Sequence, residues 1–340
     1  MAQISFILPC YNVEKWIDRC LKSIVMQTVG IENLEIICVD DCSTDSTKEK
    51  LMAWEEKYPE QFMIVLLDEN RRQGNARNVG LQYASSEWIA FVDSDDWIEP
   101  DYCECMLKAA VDSDYEMICC GNKRDFSREM TFFDGQNDEG FQDINITTED
   151  DRREYIIYPP LGYSAWAKII KKDFLIQNEL FFPSDITYED AAWGSLVQLY
   201  IRKARVLNKK LYHYFVNNQS TVLTTNSNHH LDCLTSQTYV WREYQRRGFR
   251  EIYKAELEME HIYSAYLPAI KMCVFRYNEP DYNVYLLVRE LMLDRIGEYK
   301  KNPYYDRLSE LHKLILTSLD ICLNKQQFKE MADNIKKIGL

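Results

Sequence analysis

Trp88-Ile-Ala-Phe-Val-Asp93-Ser94-Asp95-Asp96-Trp97 is the stretch whose reading decides the fold. A short, bulky and partly β-branched run ends abruptly in carboxylates. Such a run reads as a buried strand rather than a helix. The acids then sit at its carboxyl end, the edge of an open α/β sheet where ligands bind. Asp93 and Asp95 lie two residues apart, so both can turn toward one point as the strand ends. Hard oxygens so placed suit Mg²⁺ or Mn²⁺ held together with substrate phosphates. An acidic solvated turn, with Asp96 capping a helix, is the plainer reading of the same residues.

Working outward, Ile4 to Leu8, Leu34 to Val39 and Phe62 to Leu67 are further apolar strands. Helical spacing falls between them: Val13 to Val25, a segment reaching about Tyr58, and Gly74 to Ala84. Strands that are apolar throughout and alternate with helices predict an α/β fold, a mostly parallel sheet flanked by helices. Three of the four strands end in acids, so negative charge gathers along one edge. Further on, the pattern predicts a helix from Pro100, a strand at Tyr115 to Cys120, and a polar excursion over 122–153, a candidate lid. A strand at Ser164 to Ile170, a helix from Tyr188 to Ile201 and an edge strand at Val206 to Phe215 follow. From Leu231 onward amphipathic helices dominate, broken at Pro280 and Pro303. A boundary near 226 divides a catalytic domain, 1–226, from a helical C-terminal region, 227–340.

The chain has 340 residues and a formal net charge of −14. That balance argues against nucleic acid as the main partner, because phosphate binding needs a basic surface. No apolar run approaches the length of a membrane span. The N-terminus enters a strand directly and carries no signal peptide. Several of the 11 cysteines lie inside apolar strand-like runs, as small reduced core residues do. Together these predict a reduced, cytoplasmic protein.

Four motifs follow in order: Ile-Leu-Pro9-Cys-Tyr11-Asn12, Val-Asp40-Asp41-Cys-Ser43-Thr-Asp45, Gly74-Asn-Ala-Arg77-Asn78-Val-Gly80 and Phe-Val-Asp93-Ser94-Asp95-Asp96. In order and spacing the chain resembles the inverting family 2 glycosyltransferases of the GT-A fold, over roughly residues 1 to 220. The resemblance implies a nucleotide-sugar donor, UDP-linked by preference. It implies that Pro9, Tyr11 and Asn12 line the nucleotide pocket, with the Tyr11 ring stacking on uracil, and that Asp41 accepts from the base imide. It places Arg77 near the base and diphosphate, where a guanidinium clamps anionic oxygens. Asp93 and Ser94 face ribose and sugar. Asp95, with Asp93, holds the metal that neutralises the leaving diphosphate. Trp166-Ala-Lys168 followed by Glu189-Asp190 fits the family's pattern for the base, which implies Asp190 as base and Glu189 against donor sugar or acceptor. On residues alone, that acidic pair could equally favour a helix N-terminus. Some members place a histidine where His213 stands as a further metal ligand. The family's arginine after the second aromatic is replaced here by Phe215 and Val216.

The acceptor implied is a glycan or lipid-linked glycan in bacterial surface-polysaccharide synthesis. The helical region could complete the acceptor site, form a homodimer or touch a membrane peripherally. Trp241 to Arg250 mixes basic and aromatic residues as interfacial segments do, and a solvated helix end gives the same pattern. Two rivals remain. A sugar-phosphate nucleotidyltransferase would want a Gly-rich phosphate loop after the first strand, and Pro9-Cys-Tyr-Asn has no glycine. A non-catalytic nucleotide-binding or assembly protein of the same fold would have no need of both Asp95 and Asp190.

Overall fold

The computed structural model describes residues 2–111, 114–133, 140–217 and 225–338. Two compact units divide these residues. One comprises 1–148, 161–185 and 189–217; the other comprises 149–160, 186–188 and 218–340.

The first unit is built on one sheet, with strands β1 (Ile4–Cys10), β2 (Leu34–Asp40), β3 (Phe62–Leu66), β4 (Trp88–Phe91), β5 (Trp97–Ile98), β6 (Met117–Asp125), β7 (Phe141–Asn145), β8 (Lys168–Lys171) and β9 (Lys203–Phe215). The order is β3-β2-β1-β4-β8-β6-β9-β5, with β7 also on β9. The first four strands are parallel, as expected from their uninterrupted apolar runs. Their register decides where the chemistry lies. Cys10 pairs with Asp40, Leu66 with Asp40, and Ile7 with Phe91. Tyr11, Asp41 and Asp93 therefore leave the sheet at one edge.

Helices α1 (Ile17–Val25), α2 (Thr47–Lys57), α3 (Arg72–Tyr83) and α4 (Tyr102–Ala110) connect these strands. Glycine lets α3 come close to its neighbours. A Cβ on Gly80 would stand 2.4 Å from Ile7 Cγ2, and one on Gly74 would stand 2.3 Å from the Pro183 carbonyl oxygen. Asn78 completes that docking with two bonds to Phe182. Its Nδ2 donates to the carbonyl at 2.8 Å, and its Oδ1 accepts from the amide at 2.9 Å. The Gly-Asn-Ala-Arg-Asn motif thus fastens the chain segment that leads to Glu189.

Beyond β4 the sheet becomes mixed. β8 runs antiparallel to β4 and β6, while β9 is parallel to β6 and antiparallel to β5 and β7. The expectation of an edge strand at Val206 to Phe215 is corrected: β9 spans 13 residues and is paired on both sides. Its alternating polar residues reflect two half-covered faces rather than an open edge. The polar excursion contains β7, and the part of it at 134–139 lies outside the described residues.

The second unit is helical. It gathers Glu149–Ile157, Asp232–Arg246, Lys254–His261, Leu267–Phe275, Tyr282–Ile296, Glu310–Ile321 and Lys325–Ile338. Between the helices Lys254–His261 and Leu267–Phe275 lies a π-helical turn at Ile262–Tyr266. Pro268 has no N–H to donate one turn back, and the wider turn absorbs that loss. Trp241 is buried, with Arg250 over its ring at 4.3 Å. Among the described residues no helix is long and apolar enough to cross a membrane, and all 11 cysteines are free.

Candidate active site

The site lies in the first unit, where the parallel strands end. Arg77, on α3, is 3% exposed and joins two acids from distant parts of the chain. One terminal nitrogen donates to Asp93 Oδ1 at 2.7 Å and the other to Glu189 Oε1 at 2.5 Å. Burial pulls the guanidinium down, but the charges of Asp93 and Glu189 outweigh it and hold the group above its ordinary value. Arg77 is therefore a cross-brace between the Asp93 turn and the start of the helix Glu189–Tyr200. Arg77, expected near the base and diphosphate, here has each terminal nitrogen on a carboxylate.

Asp190 follows Glu189 and shares its surroundings. Burial pushes its carboxyl up to about 7. The negative charges of Glu189 and Asp93 add to this and Arg77 opposes it. A carboxylate poised near neutrality is suited to accepting a proton there. Lys168 lies close enough to feel the Asp190 charge. Burial pulls the amine down, and the nearby thiol of Cys119 and Asp190 oppose that. Its Nζ donates to the Leu161 carbonyl at 3.2 Å.

Asp95 is half-buried in the turn after β4. Burial, then the neighbouring charge of Asp93, raises it to about 6. Its carbonyl is held by Arg19, which donates at 2.5 Å from α1. Arg19 also donates to the carbonyls of Ser127 and Arg128 at 3.2 and 3.1 Å. Its guanidinium lies over the rings of Trp97 and Phe215 at 4.2 and 4.4 Å. No motif points to Arg19; the available signal is Trp16 one helical turn before it.

The two remaining acids of the turn differ in role. Asp93 faces Arg77, whereas Asp96 is buried and accepts from the Tyr212 hydroxyl at 2.6 Å and the Phe215 amide at 2.7 Å. Asp96 pins the turn to β9. The Tyr212 oxygen accepts in turn from the Asp93 amide at 3.2 Å. Trp166 stacks on Tyr212 and Tyr214, with centroids 5.0 and 5.5 Å away, which is what that tryptophan contributes. Ser94 is buried beside this turn.

His213 lies one residue from Tyr212 and therefore on the other face of β9. It is 0% exposed. Its Nε2 is 2.6 Å from Glu99 Oε1 and its Nδ1 is 3.4 Å from Asp125 Oδ2. The ring is sandwiched by Trp97 and Phe133, at 4.7 and 5.0 Å. His213, expected as a further metal ligand, has its two ring nitrogens facing Glu99 and Asp125 in a buried cluster.

At the other end of the edge, Tyr11 is 45% exposed, its ring open to a planar partner. Asn12 braces the loops. It adopts a φ of +52° and accepts from the Thr44 amide at 2.8 Å. Its own amide donates to Ser43 Oγ at 3.0 Å. Pro9 closes β1 within the parallel ladder. Asp41 is buried, raised by that burial and drawn back by the amides of Arg71 and Arg72. It accepts from the Arg71 amide at 2.9 Å.

Among the described residues no trio of His, Cys, Asp or Glu is gathered to hold an ion. The donor set is the Asp93 and Asp95 pair, both half-buried. Asp95 is raised by burial and by Asp93. Mg²⁺ is commonly held by one or two carboxylates and completed by phosphates and water, so these residues fit it or Mn²⁺.

A mixed sheet flanked by helices, with paired acids where its parallel strands end, defines a GT-A fold. Residues 5–173, about half the chain, match the family model described as Glycosyl transferase family 2, and the chain belongs to that family. It is 32% identical over 227 residues to the putative glycosyltransferase EpsH of Bacillus subtilis, covering 64% of this chain and 62% of that protein. It is 28% identical over 268 residues to the poly(ribitol-phosphate) beta-N-acetylglucosaminyltransferase TarS of Staphylococcus aureus, covering 77% of this chain and 42% of that one. The crystal structure of S. aureus TarS 1-349 in complex with UDP-GlcNAc superposes with a TM-score of 0.63 at 19% identity. That match covers 95% of this chain and 93% of that one. The chain thus spans under two thirds of the length of these two curated relatives.

Proposed function

We propose that the protein transfers a sugar, with inversion, from a nucleotide donor to a hydroxyl of a glycan or lipid-linked glycan in surface-polymer synthesis. UDP is the preferred nucleotide. The observation that carries this reading is the Arg77 brace, which ties the Asp93 turn to Glu189 and so sets Asp190 beside it. Inversion needs a base on one side of the anomeric carbon and a stabilised leaving group on the other. The family membership and the UDP-GlcNAc carried by the superposing TarS structure support the donor class.

In the proposed step, Asp190 takes the proton of the acceptor hydroxyl as that oxygen bonds to the anomeric carbon. The bond from that carbon to the diphosphate oxygen breaks, and the nucleoside diphosphate departs. Asp95 and Asp93 would hold a divalent cation, which supplies charge neutralisation to the leaving diphosphate when bound. The Tyr11 ring stacks on the base and Asp41 accepts from it. Pro9 shapes that pocket, and Asn12 holds it in place through the loop after β2. Ser94 lies toward the sugar. Glu189 and Arg77 position Asp190 and Asp93, and Arg19 positions Asp95 through its carbonyl.

A panel of nucleotide sugars, assayed for hydrolysis with Mn²⁺, tests the reading. Turnover of a UDP-sugar, lost in Asp95→Ala, is the expected result. Absence of turnover together with no UDP binding by calorimetry would remove the transferase reading.

A further inference from the structure

The second unit contains a cavity of about 520 Å³ that the proposed chemistry leaves unused. The residues lining it include Tyr188, Tyr263 and Phe275, together with Lys271, Arg276 and His312. No aspartate or glutamate lines it, although the chain carries 54 acids against 40 lysines and arginines. Lys271 and Arg276 form no salt bridge among the described residues. The His312 ring packs edge-on against Tyr263 at 5.7 Å. Two cations with no described salt-bridge partner share one concavity, and low-dielectric walls concentrate their positive potential. Burial and Lys271 lower the proton affinity of His312, which adds a hydrogen-bonding group rather than a charge. Aromatic faces beside those cations suit the C–H surfaces of sugars or polyols.

One lining residue directly precedes the proposed catalytic pair in the sequence. Tyr188 is bonded through its peptide group to Glu189 and stands two residues before Asp190. It is held in a costly conformation, with φ at +63°. Several contacts keep it there. Its hydroxyl meets His230 Nδ1 at 2.9 Å, its carbonyl accepts from Ser236 Oγ at 2.8 Å, and the preceding Thr187 donates to Asp232 from its amide and hydroxyl. A ligand resting on this ring therefore touches the residue that leads into Glu189 and Asp190.

We propose that the cavity is a subsite for an anionic acceptor chain, a polyol or glycan carrying phosphodiesters or carboxylates. Its charges meet Lys271, Arg276 and His312 and its carbon faces lie on the tyrosines. This rests on the transferase reading above and deepens its acceptor class.

The test is calorimetry on the full chain with UDP and Mn²⁺. The titrants are a short glycerol phosphate oligomer, a galacturonate oligomer and a neutral maltooligosaccharide. Binding of either anionic oligomer, with the neutral one silent, is expected, and which of the two binds identifies the anion. Wild-type affinity should fall as salt approaches about 0.5 M, where screening shortens to a few ångströms. It should fall about ten-fold or more in Lys271→Gln/Arg276→Gln, as charged contacts are worth. Equal binding of the neutral oligomer, no binding of either anionic one, unchanged affinity in the double variant, or capture by anionic vesicles in place of the oligomers would each overturn the inference. A UDP titration of the same sample reads the donor site separately. UDP bound with no oligomer bound ends this inference alone. Oligomer bound without UDP ends the donor reading instead.

Discussion

Two buried polar clusters flank the same turn after β4, and they are resolved in opposite ways. Around His213, Glu99 and Asp125 share a ring wedged between Trp97 and Phe133, and extra donors complete the set: the Phe133 amide for Glu99, the Ser127 amide for Asp125. Burial pushes Asp125 up, but the Ser127 amide and the His213 ring win and leave it below its ordinary value. Around Arg77, one guanidinium serves Asp93 and Glu189, while Asp95 and Asp190 remain raised. Acids matched by donors make structure. Acids in excess of donors are candidates for a proton or a cation.

The sharpest way to break this comparison is at Asp190. Asp190→Asn keeps the shape of the side chain and removes the base. Transfer should fall by ~10²–10⁴-fold, the usual contribution of general-base catalysis, while calorimetric UDP affinity stays within error. In the wild type, kcat/KM should fall with pH below about 7, where Asp190 takes up a proton. A flat profile between pH 5 and 8 would remove the base assignment. Next in size is Arg77→Met, which strands the buried Glu189 carboxylate and the half-buried Asp93. Breaking a buried pair from one side costs about 3–5 kcal/mol, measurable as a lower urea midpoint. Loss of activity with an unchanged midpoint would mean that Arg77 touches donor after all.

Much of this site is legible in the sequence, and the limits of that legibility have physical causes. Asp93 and Asp95 declare themselves because a strand end and its acids are neighbours along the chain. So do the parallel strands, whose apolar runs have no other use. Arg77 reads as a donor clamp because its partner Glu189 lies 112 positions away, and no spacing rule reaches that far. His213 reads as a ligand because a strand's two faces differ by one residue. With Tyr212 facing the acidic turn, His213 must point away from it, but which face is which depends on β6 and β5 being in place. Arg19 escapes notice because an arginine with lysines a turn before and after it reads as exposed until Trp97 and Phe215 are seen beneath it.

The His213 cluster is tested by His213→Phe, which keeps a ring between Trp97 and Phe133 and deletes both nitrogens. Removing one donor from each of two buried acids costs about 1–3 kcal/mol. Mn²⁺ affinity, read by calorimetry in the presence of UDP, should not change. A ten-fold weaker Mn²⁺ would restore His213 to the metal site.

The smallest effect discriminates best because its sign is unusual. Asp95 has its folded pKa raised to about 6 from an ordinary 3.8, and Asp190 is raised likewise. A raised acid binds its proton more tightly folded than unfolded, so the fold loses stability as pH climbs through that window. Asp125, lowered, works the other way: its contribution is present at neutral pH and lost as pH falls through its folded value. Asp95→Asn removes a charge the metal-free fold carries at a cost. It should therefore stabilise that form at pH 8 by about 1–2 kcal/mol, allowing for water that reaches a half-buried carboxyl. The gain should vanish below pH 4, and saturating Mn²⁺ with UDP should stabilise the wild type but not the variant. An asparagine variant no more stable than wild type at pH 8 would mean that Asp95 is already satisfied, and the contrast with Asp125 would dissolve.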